Sequence, residues 1–101
     1  MKLLIKDRFI LLGLLPSKGD YVTLTIKEDI VKKISISQKE IQEIGLTSDG
    51  GKISWNTDKE KDNDFKFTEL ETNMILGILN SLNESKELTD DTFALYKLFN
   101  I

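Results

Sequence analysis

The chain of 101 residues has no cysteine and no histidine, one proline, one tryptophan and a single arginine among its 14 basic residues. Without Cys or His it holds no ligand set for a zinc finger or iron–sulfur cluster, no disulfide framework and no thiol- or imidazole-based triad. No run approaches the roughly 18 apolar residues of a membrane-spanning helix. Arginine is the preferred reader of phosphates and guanines, because its planar fork donates two parallel hydrogen bonds. With Arg8 as the only one, that chemistry is thin. Proline- or glycine-rich linkers, repeats and low-complexity tracts are also missing, so residues 1–101 read as one domain of ordinary size.

Charge is balanced rather than strong. There are 14 basic and 17 acidic residues, a formal net charge of −3. Residues 1–50 carry eight basic and seven acidic groups, residues 51–101 six and ten. Such a distribution provides no large field to steer a polyanion. The opening Met1-Lys2-Leu3-Leu4-Ile5 is interrupted by Lys6-Asp7-Arg8, and no small-residue cleavage site follows Leu15-Pro16, so no export signal is read and the cytoplasm is expected.

Periodicity lays out the elements. Leu4, Arg8, Leu11, Leu12 and Leu15 follow helical spacing, with Phe9 and Ile10 widening the apolar face, and Pro16 ends this helix over Leu3–Leu15. The run Tyr21-Val22-Thr23-Leu24-Thr25 alternates and is rich in β-branched and aromatic residues, which predicts a short strand or an extended lead-in. Thr25 with Glu28 has the spacing of a capping box and opens a second helix to Ile34; Ser37 with Glu40 opens a third to Ile44, with Gly45 as its left-handed end.

Beyond Asp49-Gly50-Gly51, a turn, two alternating runs, Lys52–Asn56 and Phe65–Phe67, flank the charged stretch Thr57–Asp64, predicting a hairpin. Thr68 and Glu71 form another box, ahead of the stripe Leu70, Met74, Ile75, Ile78, Leu79 and Leu82. Thr89 caps a last helix, Asp90–Phe99.

This order predicts a helix-dominant α+β fold, winged-helix-like: three helices, a β-hairpin wing and two C-terminal helices. The segment Arg8–Pro16, followed by Gly19, Tyr21 and Thr23-Leu24, resembles small uncharacterised phage and prophage proteins of low-GC Gram-positive bacteria. The resemblance covers most of the chain and implies a phage or mobile-element origin. It carries no functional residue.

Chemical motifs are weak. Asp58, Glu60, Asp62 and Asp64 alternate as in a calcium loop, but the glycine required at position six is absent and lysines interleave with the acids. No metal is expected there. Gly50-Gly51-Lys52-Ile53-Ser54 lacks the spaced first glycine of a phosphate loop and leads into a strand. No carboxylate pair sits in a setting that would shift its pKa for acid–base work, so neither an enzyme nor a cofactor is expected.

Two binding readings stay open. In a DNA-reading winged helix, Gln38, Lys39 and Gln42 of the third helix would reach bases while Lys52, Lys59 and Lys61 of the wing met phosphate. Against it, the third helix carries more acid than base, and non-specific affinity needs several cations. The favoured reading is a non-catalytic protein-interaction module, binding a protein partner or itself as a dimer and modulating a host system. Its surface would be the apolar surplus of the first helix and the acidic C-terminal half, with Trp55 a partner anchor if it faces solvent. Alternation with Ile53 otherwise places Trp55 in the core.

Overall fold

The computed structural model describes residues 1–60 and 63–99. In chain order these form β1 (Lys2–Leu3), α1 (Ile5–Leu14), α2 (Tyr21–Ile34), α3 (Gln38–Ile44), β2 (Thr47–Asp49), β3 (Lys52–Ser54), a 3-10 turn (Thr57–Lys59), β4 (Asn63–Asp64), α4 (Glu69–Glu84) and α5 (Asp90–Phe99). The fold is a helix-dominant α+β arrangement with two separate two-stranded sheets, β1–β4 and β2–β3, both antiparallel.

Four helices make the core. Leu11 and Leu15 from α1 and its end, Ile30 and Ile34 from α2, Ile75 and Leu79 from α4, and Leu95 and Phe99 from α5 are buried together with Leu3. Each helix contributes residues spaced by four, so each buries one stripe. The short helix α3 and the β2–β3 hairpin stand beside this bundle, and Ile44 is the buried residue of α3.

The caps read from the sequence form where expected for α3, α4 and α5. The Ser37 hydroxyl accepts the Glu40 N–H at 3.2 Å and the Thr68 hydroxyl accepts the Glu71 N–H at 3.2 Å. In both, the glutamate reaches back to the N-cap N–H, satisfying two otherwise orphaned donors. Thr89 and Thr92 close a similar reciprocal cap ahead of α5. Gly45 ends α3 at φ 64° and ψ 40°, the left-handed conformation that strains any residue with a Cβ.

Three expectations are overturned. Tyr21–Thr25 is the first turn and a half of α2 rather than a strand. Asp20 is its N-cap and accepts the Thr23 N–H at 2.8 Å, so the Thr25–Glu28 box does not open the helix. β-Branched residues lower helix propensity only slightly, and a strong cap continuous with the Ile26–Ile30–Ile34 stripe outweighs them.

The hairpin is also different. Its partner strand lies upstream: Ser48 faces Ile53 and Asp49 faces Lys52 across Gly50-Gly51. Both turn glycines have positive φ, 58° and 82°, the twist that tight two-residue hairpins require. A two-residue closure outcompetes the longer loop to Phe65–Phe67.

Finally, the first helix begins at Ile5 because Leu3 pairs with Asn63, and Lys2 with Asp64, in the small β1–β4 bridge. The Met1 amino group joins the bridge, donating to Asp64 Oδ1 at 2.6 Å and to the Phe65 carbonyl at 3.0 Å. Phe65-Lys66-Phe67 is therefore a crossing segment outside any regular strand.

Candidate functional site

Arg8 lies on the apolar face of α1 and is 2% exposed, the burial least expected for a cation. Its partners account for that position. Nε donates to the Ile34 carbonyl at 2.9 Å, and one terminal nitrogen to the Ser35 carbonyl at 2.7 Å. Both terminal nitrogens reach Glu40, at 2.7 and 3.1 Å. The first two are carbonyls at the C-terminal end of α2, where intrahelical partners run out. The third is the glutamate that caps α3. One guanidinium thus fixes the link between α2 and α3, and the ring of Phe65 covers it at 5.1 Å.

A parallel arrangement holds α4. Lys33 Nζ donates to Glu71 Oε1 at 2.5 Å and to the Lys66 carbonyl at 3.0 Å, with the Phe67 ring 5.9 Å away. In each cluster the capping-box glutamate of one helix receives a cation from an earlier helix. The hydrogen bonds from Arg8 hold the Glu40 carboxyl below the usual range, ahead of the opposing effect of its partial burial. For Glu71, burial pushes upward most strongly, but Lys33 together with the Thr68 N–H reverses it, and the carboxyl lies low. Asp64 is held low by the Met1 amino group, Asp20 by the α2 cap it makes at Thr23, and Lys6 is raised by Asp91. Each of these shifted groups makes a hydrogen bond or ion pair within the chain.

The side chains picked out for nucleic acid are partly assembled. Gln38, Lys39 and Gln42 are exposed on α3, and Lys52 and Lys59 are exposed on β3 and the 3-10 turn; Lys61 lies outside the described residues. Lys39 and Lys59 share the lining of a cleft of about 650 Å³, but Glu40, Glu43 and Asn63 line it too, over Ile5 and Ile44. Mixed charge of this kind offers a phosphate backbone little net attraction. Lys52 sits opposite Asp49 at the hairpin turn.

Trp55 is half-buried, its ring 5.7 Å from that of Phe9. Its indole N–H donates to Glu60 Oε2 at 3.2 Å, and Glu60 Oε1 accepts the Ile5 N–H at 2.5 Å. Trp55 and Glu60 thus tie the hairpin exit to the start of α1. Every other residue of the run Lys52–Asn56 is exposed, Ile53 at 45%, so the alternation does not put Ile53 and Trp55 together in the core.

Ile53 leads to a feature that the sequence did not localise. Phe9 and Leu12 of α1, Ser35 and Ile36 of the α2–α3 link, Ile41 of α3, and Leu46, Ser48 and Ile53 from the hairpin line an open groove of about 330 Å³. Six of these eight side chains are apolar and none is charged. The surplus apolar face of α1 was visible from its spacing. That its Phe9–Leu12 side meets the hairpin depends on the Arg8 contacts, which set the position of the α2–α3 link. Among the described residues there is no group of three or more Asp and Glu placed to hold a metal ion, and no helix long and apolar enough to cross a membrane.

No protein-family model, curated protein or solved structure matches the chain.

Proposed function

We propose that the chain is a small non-catalytic interaction module that binds a partner protein through the Phe9–Leu12–Ile36–Ile41–Leu46–Ile53 groove. The observation that carries this is the groove's composition: an uncharged, predominantly apolar depression left open beside an otherwise satisfied helical core. Its complement is an apolar segment of a partner, since a charged group placed there would lose water without finding a counter-ion. Glu40 and Glu71 are each hydrogen-bonded at a helix cap and to a cation of an earlier helix, and the groove itself is lined by no titratable side chain; both fit a module that binds rather than reacts. A phage or mobile-element origin, a cytoplasmic setting and modulation of a host system rest on the sequence resemblance and the sequence alone.

A winged-helix-like arrangement of residues 5–54 is supported by the order of three helices followed by a two-stranded hairpin. Duplex DNA would then meet Gln38, Lys39 and Gln42 of α3 and Lys52 of the hairpin, the one expected wing lysine that the hairpin carries, since Lys59 stands on the 3-10 turn beyond it. The acidic Glu43 beside them, and the Glu40 carboxylate in the same cleft, weigh against it.

The test uses Ile53→Asp, which charges the groove at a residue exposed enough to leave the fold intact, with Tyr21→Asp on the 87% exposed start of α2 as control. Each protein is immobilised and challenged with an extract of the cell that carries it. A defined protein recovered by wild type and Tyr21→Asp but lost with Ile53→Asp supports the groove; identical recovery with all three refutes it. Light scattering on the same samples reports whether the occupant is a second copy. A low-salt duplex titration in which affinity falls steeply with added salt would move the assignment to DNA.

A further inference from the structure

Asp49-Gly50 is the only place in the sequence where Asp or Asn precedes glycine, and the fold puts it at the tip of the β2–β3 hairpin. We propose that Asp49 is a site of spontaneous backbone modification, converting to isoaspartate through a cyclic imide. The Gly50 amide nitrogen attacks the side-chain carboxyl carbon of Asp49. An N–C bond forms, a C–O bond breaks, and the amide proton leaves with the hydroxyl as water. Water then adds back. At the side-chain carbonyl it restores aspartate; at the main-chain carbonyl it leaves the chain running through Cβ, one methylene longer. No oxidant, reductant or other reactant takes part.

Three features of the hairpin favour the step. Gly50 has no side chain to shield its nitrogen, and beyond its own chain neighbours no atom lies within 4 Å of where a Cβ would stand. In a two-residue turn the ladder bonds belong to the flanking pair, here Asp49 and Lys52, so the Gly50 N–H is not tied into the sheet. All six strand residues are exposed, and the turn lies at the outer end of this short ladder, where local fraying costs least. By contrast Asn80-Ser81, chemically the next most susceptible pair, lies inside α4 with its backbone held in helical geometry. The product would lengthen β2 by one main-chain atom and break the Asp49–Lys52 and Ser48–Ile53 register, because pairing depends on residue count across the turn.

The purified, folded chain is incubated at neutral pH and physiological temperature and then digested with trypsin. The site falls in the peptide from Glu40 to Lys52, in which Asp49 is the only Asp or Asn. The expected result is a new chromatographic form of this peptide with unchanged mass, accepting a methyl group from isoaspartyl methyltransferase, preceded by a form lacking one water. Asp49→Asn should accelerate its appearance, with release of ammonia, and Asp49→Glu should abolish it because the ring is disfavoured. If the peptide modifies in urea but stays aspartyl in the folded chain, the hairpin protects Asp49 and the inference is overturned. The same holds if the folded chain accumulates isoaspartate elsewhere first.

Discussion

Replacing Arg8 by alanine removes the group on which α1, α2 and α3 converge. The wild-type guanidinium is 2% exposed and serves the Ile34 and Ser35 carbonyls as well as Glu40. Deleting one partner of a buried ion pair costs about 3–5 kcal/mol, because the remaining charge is stranded. Glu40 keeps 26% of its side-chain exposure and regains some water, so the lower end applies to that part. The two carbonyls at the end of α2 also lose their donors, and the arginine stem loses its contact with Phe65.

The expected destabilisation is therefore about 3 kcal/mol, a large share of the roughly 5–15 kcal/mol that holds a small domain. At about 4–8 °C per kcal/mol for a chain of this size, the melting temperature falls by roughly 12–24 °C. Urea unfolding followed by circular dichroism measures it, with an unchanged slope marking a loss of stability rather than a change of native state. Arg8→Lys keeps the charge but not the fork, and should recover only part of the loss. The double mutant with Glu40→Gln should be less destabilised than the two singles combined, by about 1 kcal/mol or more. An Arg8→Ala protein within about 1 kcal/mol of wild type would refute the account of Arg8 as the pin between the helices.

Other consequences are independent of Arg8. Because Glu40 and Glu71 have carboxyls held low in the folded chain, their stabilisation is complete above the unfolded value of about 4.3 and is lost as pH falls through the folded one. The stability gap between wild type and Glu71→Gln should accordingly shrink on acidification below that point; a gap constant with pH would contradict it. Gly45→Ala, at φ 64°, should cost about 1 kcal/mol through left-handed strain, seen as a lower urea midpoint. Leu79→Ala, fully buried among the four helices, should cost about 2–5 kcal/mol. Ile53→Asp should fall within about 0.5 kcal/mol of wild type, since its site is half open to water, and a larger loss would mean the hairpin carries more of the fold than its exposure implies.

Local signals were legible wherever cap and helix are adjacent in the chain. Ser37 with Glu40, Thr68 with Glu71, Gly45 and the Ile75–Leu79 stripe specify α3 and α4 almost residue for residue, because a cap answers to donors three positions away. Even here two details escaped: Leu70 belongs to the expected stripe yet is exposed, while Glu71 beside it is buried. The charged residue won the interior because Lys33 meets it there. For the candidate site, composition gave the surplus apolar face of α1 and the identities of Ile36, Ile41 and Ile53, but not their meeting.

By itself, then, the sequence determined the helix count after residue 25, the ends of α3, α4 and α5, and the chemistries closed to a chain without Cys or His. Tertiary structure decided the rest wherever two local solutions were close in free energy. Tyr21–Thr25 suits a strand or a helix, and Asp20 together with the buried face of α2 selects the helix. Lys52–Ser54 can pair forward or back, and the glycine turn selects Thr47–Asp49. A lone arginine in an apolar stripe looks like surface chemistry until the carbonyls of α2 and the cap of α3 close around it. Those partners lie 26 to 32 residues away, beyond anything periodicity can report, and they set the position of the link that forms one wall of the groove.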